Sequence, residues 1–309
     1  MPYLIIMRII PIKSINKNAA EPEGFVNFSE EEYRLGIVDA ALGVIKANKS
    51  GERPIVLITG PSGSGKTVTA HRLRAELCAL GAPTHIISMD NYFKPLKGGT
   101  DGVDLESPDR VDSGLFAQQA QKILSGREVV LPVFDFTKQD RGWGKKFRRA
   151  ENEIIIFEGI HMLNPAVSGC LAGNASSVYV SVRTRLKSAL GHSLHPSKIR
   201  LMRRFVRDKL FRARTFFQTM EHFNNVQRGE KLYIMPYKKY AEFDIDTFVP
   251  YETNVYRKHI FTELAAAKNK NNFIYELLMF LEELEDVDDK FVPEESLVRE
   301  FIGGNTLMY

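Results

Sequence analysis

A glycine-rich octapeptide, Gly60-Pro61-Ser62-Gly63-Ser64-Gly65-Lys66-Thr67, matches the motif G-x-x-x-x-G-K-[ST] at every defined position. The chemistry of such a loop is phosphate binding. Glycines let backbone N–H groups approach the phosphates, and the helix that follows adds the positive end of its dipole. The lysine supplies a charge for the β- and γ-phosphate oxygens, and the threonine hydroxyl is a ligand for Mg²⁺. The sequence therefore predicts ATP and Mg²⁺ as cofactors, held by Gly60, Ser62, Gly63, Ser64, Gly65, Lys66, Thr67 and Val68.

Two carboxylates at the ends of predicted strands extend this site. Glu158 follows the apolar run 154–157, and Asp90 directly follows the run 85–89. Because parallel strands bind ligands at their carboxyl ends, Glu158 is predicted to hold Mg²⁺ or its waters, with a plain surface carboxylate as the alternative. Asp90 is predicted to be a catalytic base that orients an acceptor hydroxyl beside the γ-phosphate and takes its proton. The alternative for Asp90 is a side chain that only caps a turn.

A basic stretch, residues 198–214, contains Asp208 as its single acid. In a helix, Arg200, Arg204 and Arg207 share one face. Phosphoryl transfer builds negative charge on the equatorial oxygens, so we expect arginines to close over the nucleotide as a helical lid, with Arg207 catalytic. A solvated or RNA-facing helix is the alternative.

A second basic group surrounds Trp143. It lacks the interleaved aromatic side chains on which bases would stack, so nucleic acid is an unlikely partner.

The elements that must position these residues alternate between strands and helices. Buried strands are expected at 54–59, 85–89, 154–157, 178–182 and 244–249, and a helix from Lys66 to Leu80 that Gly81 ends. This order predicts an α/β fold with a mainly parallel central sheet covered by helices on both faces. Residues 129–136 contain Pro132 and predict a small strand-rich insertion, as an edge strand or a hairpin.

Three parts are expected along the chain: an N-terminal arm (residues 1–28), a P-loop kinase domain (29–268) and a C-terminal helical appendage packed on that domain (269–309). The tetrad Ser29-Glu30-Glu31-Glu32 predicts a capping box that opens the first helix of the kinase domain. The appendage contains an amphipathic helix from Phe273 to Leu284 and then an acidic stretch to Asp289, and we assign it no chemistry.

Composition excludes several classes of protein. A hydrophobic share of 44% over 309 residues rules out wholesale disorder, and two cysteines exclude a disulfide scaffold. The net charge of +4 is too small to indicate a nucleic-acid-binding protein by itself. No apolar stretch approaches the ~20 residues of a membrane span. We expect a cytoplasmic protein. The basic residues before Glu21 also suit a mitochondrial presequence, but arginine is sparse and Pro2 and Pro11 would break its helix.

Five segments together resemble the uridine kinase family of the phosphoribulokinase/uridine kinase group of P-loop kinases. They occur in family order and spacing: the phosphate loop, Met89–Phe93, Leu131–Phe136, Phe157–His161 and Arg200–Asp208. The likeness covers about residues 29–304 and is closest to the kinase region of longer bacterial uridine kinase-like proteins, without their synthetase-related segments. Arg228–Ile234 and Leu297–Gly304 resemble landmarks of that subgroup.

The resemblance implies roles for further residues. Asp90 would be the general base and Thr67 with Glu158 the Mg²⁺ pair, while Arg207 and Arg212 would lie at the nucleotide lid. Glu106 stands where relatives use a carboxylate on the ribose hydroxyls. The residues assigned to the acceptor are Tyr92, Glu106, Phe134, Gln139, Arg141, Arg204 and Arg214.

Two departures bear on the acceptor and the lid. Phe134 and Gln139 stand where nucleoside-specific members have a tyrosine and a histidine near the base, so two polar groups that would read the base are absent here. Ala213 replaces a glycine between the last two lid arginines.

The sequence thus predicts an ATP-dependent kinase acting on a nucleoside-like small molecule, most plausibly at the 5′-hydroxyl of a pyrimidine ribonucleoside. A different nucleoside, a sugar phosphate or a sugar acid is the alternative acceptor. An ATP-binding regulatory or RNA-associated protein without turnover is the alternative class. A homo-oligomer is compatible with either reading.

Overall fold

The computed structural model describes residues 8–49, 51–96, 102–268 and 272–307. The predicted arm up to residue 7, Ser50 and the predicted boundary at residue 269 lie outside the described residues. The described strands are β1 (Ile9–Pro11), β2 (Ile55–Thr59), β3 (Thr84–Ser88), β4 (Val129–Asp135), β5 (Asp140–Phe147), β6 (Ile154–Glu158), β7 (Ala175–Ser181), β8 (Arg185–Lys187), β9 (Ser193–Leu194) and β10 (Phe243–Asp246).

The central sheet has the strand order β10-β7-β2-β6-β3, and every neighbouring pair in it is parallel. Successive residues of one strand enter opposite cores: Val56 and Ile58 pack on one face, and Ile55 and Leu57 on the other. Because both faces are covered, the strands read as continuous apolar runs rather than as an alternating pattern. The predicted α/β fold with a parallel sheet is confirmed.

The helices lie on both faces of this sheet. Helices α2 and α3 contribute to the larger core, and α4 and α5 contribute to the core on the opposite face. The α-helices are α1 (Ile12–Ala19), α2 (Pro22–Ala47), α3 (Lys66–Ala79), α4 (Ser113–Leu124), α5 (Pro165–Ser168), α6 (Pro196–Phe211), α7 (Phe216–Gly229), α8 (Glu252–Ala267), α9 (Asn272–Glu282) and α10 (Arg299–Ile302). None of the helices in the described ranges is long and apolar enough to cross a bilayer.

The predicted capping box at Ser29 is wrong. Helix α2 begins at Pro22, which suits the first turn of a helix because that turn leaves its N–H groups unpaired. Ser29 lies buried inside the helix, where its hydroxyl donates to the carbonyl of Phe25 at 2.7 Å. The helix therefore crosses the predicted boundary at residue 28, and the division into three parts stays a prediction.

The insertion is a hairpin, as the sequence indicated. Strands β4 and β5 pair antiparallel, and the register shifts between Val130 and Pro132, where a proline cannot donate to the ladder. A second small sheet joins β1 to β8 in parallel and β8 to β9 antiparallel.

The C-terminal residues share the larger core with the sheet and α2. Helix α9 buries Ile274, Leu277 and Leu281, and the chain then returns through α10, which buries Phe301. The end of the chain is thereby brought to the phosphate loop.

Candidate active site

The phosphate loop connects β2 to α3, and two of its glycines are required by the structure. A Cβ at Gly60 would lie 1.9 Å from the carbonyl oxygen of Val180. Gly65 has φ of +84° at the start of α3, and a Cβ there would lie 2.4 Å from Leu297 Cδ1. The loop is thus packed too closely for side chains at these positions.

Helix α6 fixes the loop from outside through three arginines. Arg200 Nη1 donates to the carbonyl of Ser62 at 3.1 Å, and Arg204 Nη1 donates to Ser62 Oγ at 2.8 Å. Arg203 Nη1 donates to the carbonyl of Gly63 at 3.1 Å. These Nη1 donors of Arg200, Arg203 and Arg204 therefore hold the loop itself, and the arginine lid over the nucleotide stays a prediction.

Strand pairing places Glu158 beside the phosphate loop. Ile58 of β2 and Ser88 of β3 both stand opposite Glu158 in the parallel register. The hydroxyl of Thr59 lies 3.0 Å from the carbonyl of Gly159 and 2.8 Å from that of Ile160. The strand that ends at Glu158 is thereby fixed to the strand that leads to the loop.

Asp90 lies two residues beyond Ser88, in a 3₁₀ turn. The hydroxyl of Ser88 accepts the backbone N–H of Asp90 at 3.3 Å, so Ser88 caps this turn and the Asp90 carboxylate does not. Burial raises the pKa of Asp90 to about 7, with a further increase from the charges of Glu158 and Glu106 and a decrease from Lys66. The charges of these three groups therefore act on the Asp90 carboxylate. Because its pKa is about 7, the group can both accept and release a proton near neutral pH.

Glu106 faces the same region from the loop before α4. Burial raises its pKa, while the cations Arg204 and Lys66 act in the opposite direction. Gly229 packs directly on it, since a Cβ at Gly229 would lie 2.3 Å from Glu106 Cβ. The neighbouring Asp104 accepts from Arg228 Nη2 at 3.0 Å and from Tyr233 at 3.1 Å. The landmark segment 228–234 therefore forms a wall against the loop that contains Glu106.

An aromatic cluster lies beside Asp90. Phe134 contacts Phe93 and Phe136 edge-on, with ring centroids 5.8 and 5.1 Å away, and its N–H donates to Asn91 Oδ1 at 3.1 Å. Gln139 has φ of +50° at the hairpin turn, and its amide donates to the carbonyl of Phe136 at 2.8 Å. Phe134 and Gln139 are thus on the hairpin element that borders the site.

Two other residues assigned to the acceptor, Tyr92 and Arg141, have their polar groups bonded to residues of the α4 region, and Arg141 stands opposite Phe134 in the hairpin. Tyr92 is fully buried, and its hydroxyl donates to Gln119 of α4 at 2.9 Å, so the structure does not present it to an acceptor. Arg141 Nη1 pairs with Asp112 Oδ2 at 3.0 Å, at the start of α4.

The remaining arginines collect at the end of α6. Asp208 is fully buried and lies 3.1 Å from Arg212 Nη1 and 3.6 Å from Arg214 Nη1. Ala213, between them, has φ of +48°, in the left-handed region that favours glycine. Arg207, the residue before Asp208 in α6, has its Nη1 3.8 Å from Glu300 Oε1.

Two features of the site escaped the sequence analysis. One is Glu300, because the tail was assigned no chemistry, although Leu297–Gly304 was recognised as a landmark segment. The other is His161, fully buried near Glu106 and Tyr233, where burial lowers its pKa to about 4 and keeps it neutral. The only sequence signal for His161 was that it ends the segment Phe157–His161, which resembles a segment of the uridine kinase family.

The polar groups around the phosphate loop suit a nucleotide that is bound together with a hard divalent cation. Buried polar atoms without partners in the described structure occur beside the loop, at Ser64 Oγ, Arg204 Nε and Arg207 Nε, which suits a polyanion. The described residues contain no group of three or more His, Cys, Asp or Glu side chains arranged for a metal. A Mg²⁺ held by one hydroxyl, one carboxylate, phosphates and water needs no such group.

A buried parallel sheet with a glycine-rich loop, a carboxylate at the next strand end and a basic helix defines a P-loop kinase. The profile of the Phosphoribulokinase / Uridine kinase family matches residues 55–253. The chain belongs to this family, and it is a phosphotransferase with an alcohol group as acceptor.

The chain is similar to several known proteins. It is 28% identical over 199 residues to the uridine kinase of Borrelia duttonii (strain Ly), and 30% identical over 199 residues to that of Lactobacillus johnsonii. Each alignment covers 62% of this chain and 85% of the relative. The crystal structure of a candidate fructose transport system kinase from Silicibacter sp. TM1040 shares the fold, with a TM-score of 0.51 and 20% identity over 64% of this chain and 95% of that one.

Proposed function

We propose that this protein is an ATP- and Mg²⁺-dependent kinase of the 5′-hydroxyl of a pyrimidine ribonucleoside. The observation that carries the proposal is the position of Asp90, two residues beyond Ser88, because Ser88 stands opposite Glu158 and Glu158 in turn stands opposite Ile58 of the strand that leads to the phosphate loop. A carboxylate in that position can orient an acceptor hydroxyl and take its proton as the bond to phosphorus forms.

Each residue then has a distinct task. Lys66 and the loop amides bind the β- and γ-phosphates, and Thr67 with Glu158 would hold Mg²⁺, which supplies charge neutralisation of the phosphates when bound. Asp90 positions and deprotonates the acceptor hydroxyl. Arg207 stabilises charge on the transferring phosphoryl group, and Arg212 would act on the nucleotide from the same side.

The charges around the acceptor region favour a neutral polyhydroxyl compound. Asp90, Asp104, Glu106 and Glu230 are all acidic, and two of the nearby cations already have partners: Arg200 Nη2 contacts Glu230 at 2.6 Å, and Arg204 Nη1 contacts Ser62. A sugar phosphate or sugar acid would bring a further negative charge next to these carboxylates. The ribose of a nucleoside offers hydroxyl donors that Glu106 can accept, in line with the uridine kinases among the relatives.

The base end of the pocket is the less specific part of the proposal. Phe134 and Gln139 border this end. A base would therefore stack on the apolar ring of Phe134, and this contact would replace some of the hydrogen bonds that recognise uracil. A different neutral nucleoside is the second candidate, because Phe134 is a buried apolar side chain.

An RNA-associated role receives little support. Several basic side chains around Trp143 are paired with local acids: Lys138 with Asp135, Arg141 with Asp112, and Lys146 with Glu128. We also favour the cytoplasm as the compartment, since Cys78 and Cys170 are both free thiols and the proposed donor is ATP. A homo-oligomer stays a prediction.

The test is ATP consumption by the wild-type protein with Mg²⁺ and a panel of acceptors. We expect turnover with uridine or cytidine, weaker turnover with other nucleosides, and none with sugar phosphates or sugar acids. Turnover confined to an anionic acceptor would contradict the nucleoside assignment and leave the kinase intact. ATP binding without turnover on any acceptor would instead favour a regulatory protein.

A further inference from the structure

The C-terminal segment 296–304 lies directly against the phosphate loop. Leu297, Val298 and Phe301 are fully buried, and Leu297 occupies the space that a side chain at Gly65 would need. Ser296 Oγ accepts the N–H of Val298 at 3.0 Å and lies 2.8 Å from the hydroxyl of Tyr251. The segment is therefore held by the core on one side while it contacts the loop on the other.

This segment places Glu300 among the cations of the phosphate site. Its Oε1 lies 3.8 Å from Arg207 Nη1, and its Oε2 is buried with no hydrogen-bond partner among the described residues. The charges that act on it come from Arg207, Lys66, Arg203 and Glu158, in decreasing order of strength. The charges of Lys66 in the phosphate loop and of Glu158, the proposed Mg²⁺ ligand, thus act on Glu300, although both are more than 130 residues away from it in sequence.

The same segment also covers one face of Arg207. The ring of Phe301 lies 5.8 Å from the Arg207 guanidinium carbon, within cation–π range. Only 19% of the Arg207 side chain is exposed, and its Nε has no partner in the described structure. A guanidinium has five N–H donors, so contacts on one edge and one face leave other donors for phosphate oxygens.

We propose that Glu300 is a positioning residue that holds Arg207 at the transferring phosphoryl group. This inference rests on the proposed role of Arg207 and on ATP as the donor. Arg207 lies among other cations, since its charge acts on both Arg204 and Arg212, and a long arginine side chain has many alternative rotamers. A buried carboxylate beside Arg207 offsets that repulsion and selects one orientation before the nucleotide binds.

The alternative is that Glu300 occupies the place of a phosphate, and this alternative predicts different kinetics. If the Glu300 carboxylate merely occupied the place of a phosphate, its removal would tighten nucleotide binding and leave turnover unchanged or faster. Positioning of Arg207 predicts slower turnover with nucleotide binding little changed, because only an interaction made in the transition state is lost.

The test compares Glu300→Gln, Glu300→Ala, Arg207→Ala and the double variant Arg207→Ala/Glu300→Ala. The matched control is Glu295→Gln, an exposed carboxylate in the same stretch of chain. Readouts are kcat and KM for ATP with the best acceptor, binding of a fluorescent ATP analogue, and thermal melting. Glu300→Gln preserves shape, so it remains informative if Glu300→Ala does not fold.

We expect Glu300→Ala to lower kcat roughly tenfold to a hundredfold, with ATP binding changed less than about threefold. Glu300→Gln should lose less, since its amide oxygen still accepts from the guanidinium, and Glu295→Gln should match wild type. In the Arg207→Ala background, Glu300→Ala should cause no further loss, because both residues act through one group.

Four results would overturn the inference. Additive losses in the double variant would mean that Glu300 does not act through Arg207. Tighter ATP binding with full turnover in Glu300→Gln would assign it to phosphate mimicry. Full activity of Arg207→Ala would remove the proposed role of Arg207 as well, whereas full activity of Glu300→Ala beside an inactive Arg207→Ala would overturn this inference alone.

Discussion

Arg203 and Glu252 form a fully buried two-point ion pair: Nε lies 2.7 Å from Oε2, and Nη2 lies 2.9 Å from Oε1. The same guanidinium donates to the carbonyls of Gly63 and Thr247. One arginine therefore ties the phosphate loop, the end of the sheet and the start of α8 together. Within the described residues its neighbour Arg207 has no comparable set of structural bonds, although the two arginines lie only four residues apart in one helix.

Removal of Arg203 should therefore act on stability. Arg203→Ala leaves the Glu252 carboxylate buried without its cation, with the backbone N–H of Val249 as a remaining donor, and we expect a loss of about 3–5 kcal/mol in the free energy of unfolding. Arg212→Ala, whose side chain is 44% exposed, should lose less than about 1 kcal/mol, because the buried Asp208 keeps Arg214 and Thr219 as partners. Urea denaturation of both variants measures this difference, and equal small losses would contradict the structural role of Arg203.

The pH dependence of turnover should report Asp90. Its pKa is raised to about 7, and only the carboxylate can take the acceptor proton. The second-order rate constant kcat/KM for the acceptor should therefore fall as the pH decreases through about 7, because Asp90 becomes protonated. A pH profile from 5.5 to 8.5 at saturating Mg²⁺ and ATP measures this limb, and a flat profile over that range would contradict it.

Ala213 offers a test of the turn that carries the last two arginines. A non-glycine residue at φ of +48° is strained, so Ala213→Gly should raise the free energy of unfolding by about 0.5 kcal/mol. The matched control is Ala241→Gly, at a φ of −71°, which should instead lose about 0.5–1 kcal/mol. Thermal melts of the two variants should shift in opposite directions, and a loss in both would mean that the turn is unstrained.

The hairpin pair should control the choice of base. Phe134→Tyr with Gln139→His restores the polar pair of nucleoside-specific relatives next to the cluster with Phe93. We expect kcat/KM for uridine or cytidine to rise at least several-fold, because a hydroxyl and an imidazole can read the base by hydrogen bonds. Steady-state kinetics with each nucleoside measure the gain, and a gain confined to non-nucleoside acceptors would contradict the assignment.

Much of the sheet and the loop was predictable because local signals decide them. No tertiary information is needed to recognise the apolar runs of strands that are buried on both faces. The same is true of Gly81 at the end of a helix and of a phosphate-loop motif that matches at every defined position. The start of α2 was not predictable in this way, because Ser29 has a capping residue's chemistry and is buried by packing instead.

The division of labour among the arginines depends on tertiary contacts. Periodicity places Arg200, Arg204 and Arg207 on one face of a helix, but it does not tell what that face meets. In the structure the first two meet Ser62 and the third meets Glu300, which approaches from a segment about ninety residues further along the chain. Tyr92 shows the same limit, since burial of its hydroxyl against Gln119 depends on the docking of α4.

The account depends most on Asp90 as the base, and Asp90→Asn tests it most directly. The variant keeps the size of the side chain and removes the charge that orients and deprotonates the acceptor, while Lys66, Thr67 and the loop amides still bind the nucleotide. The measurement is acceptor phosphorylation beside binding of a fluorescent Mg·ATP analogue, with the exposed Asp39→Asn as the matched control. We predict a roughly 10²- to 10⁴-fold loss of phosphorylation with nucleotide binding near that of wild type. A fully active Asp90→Asn protein would contradict the mechanism.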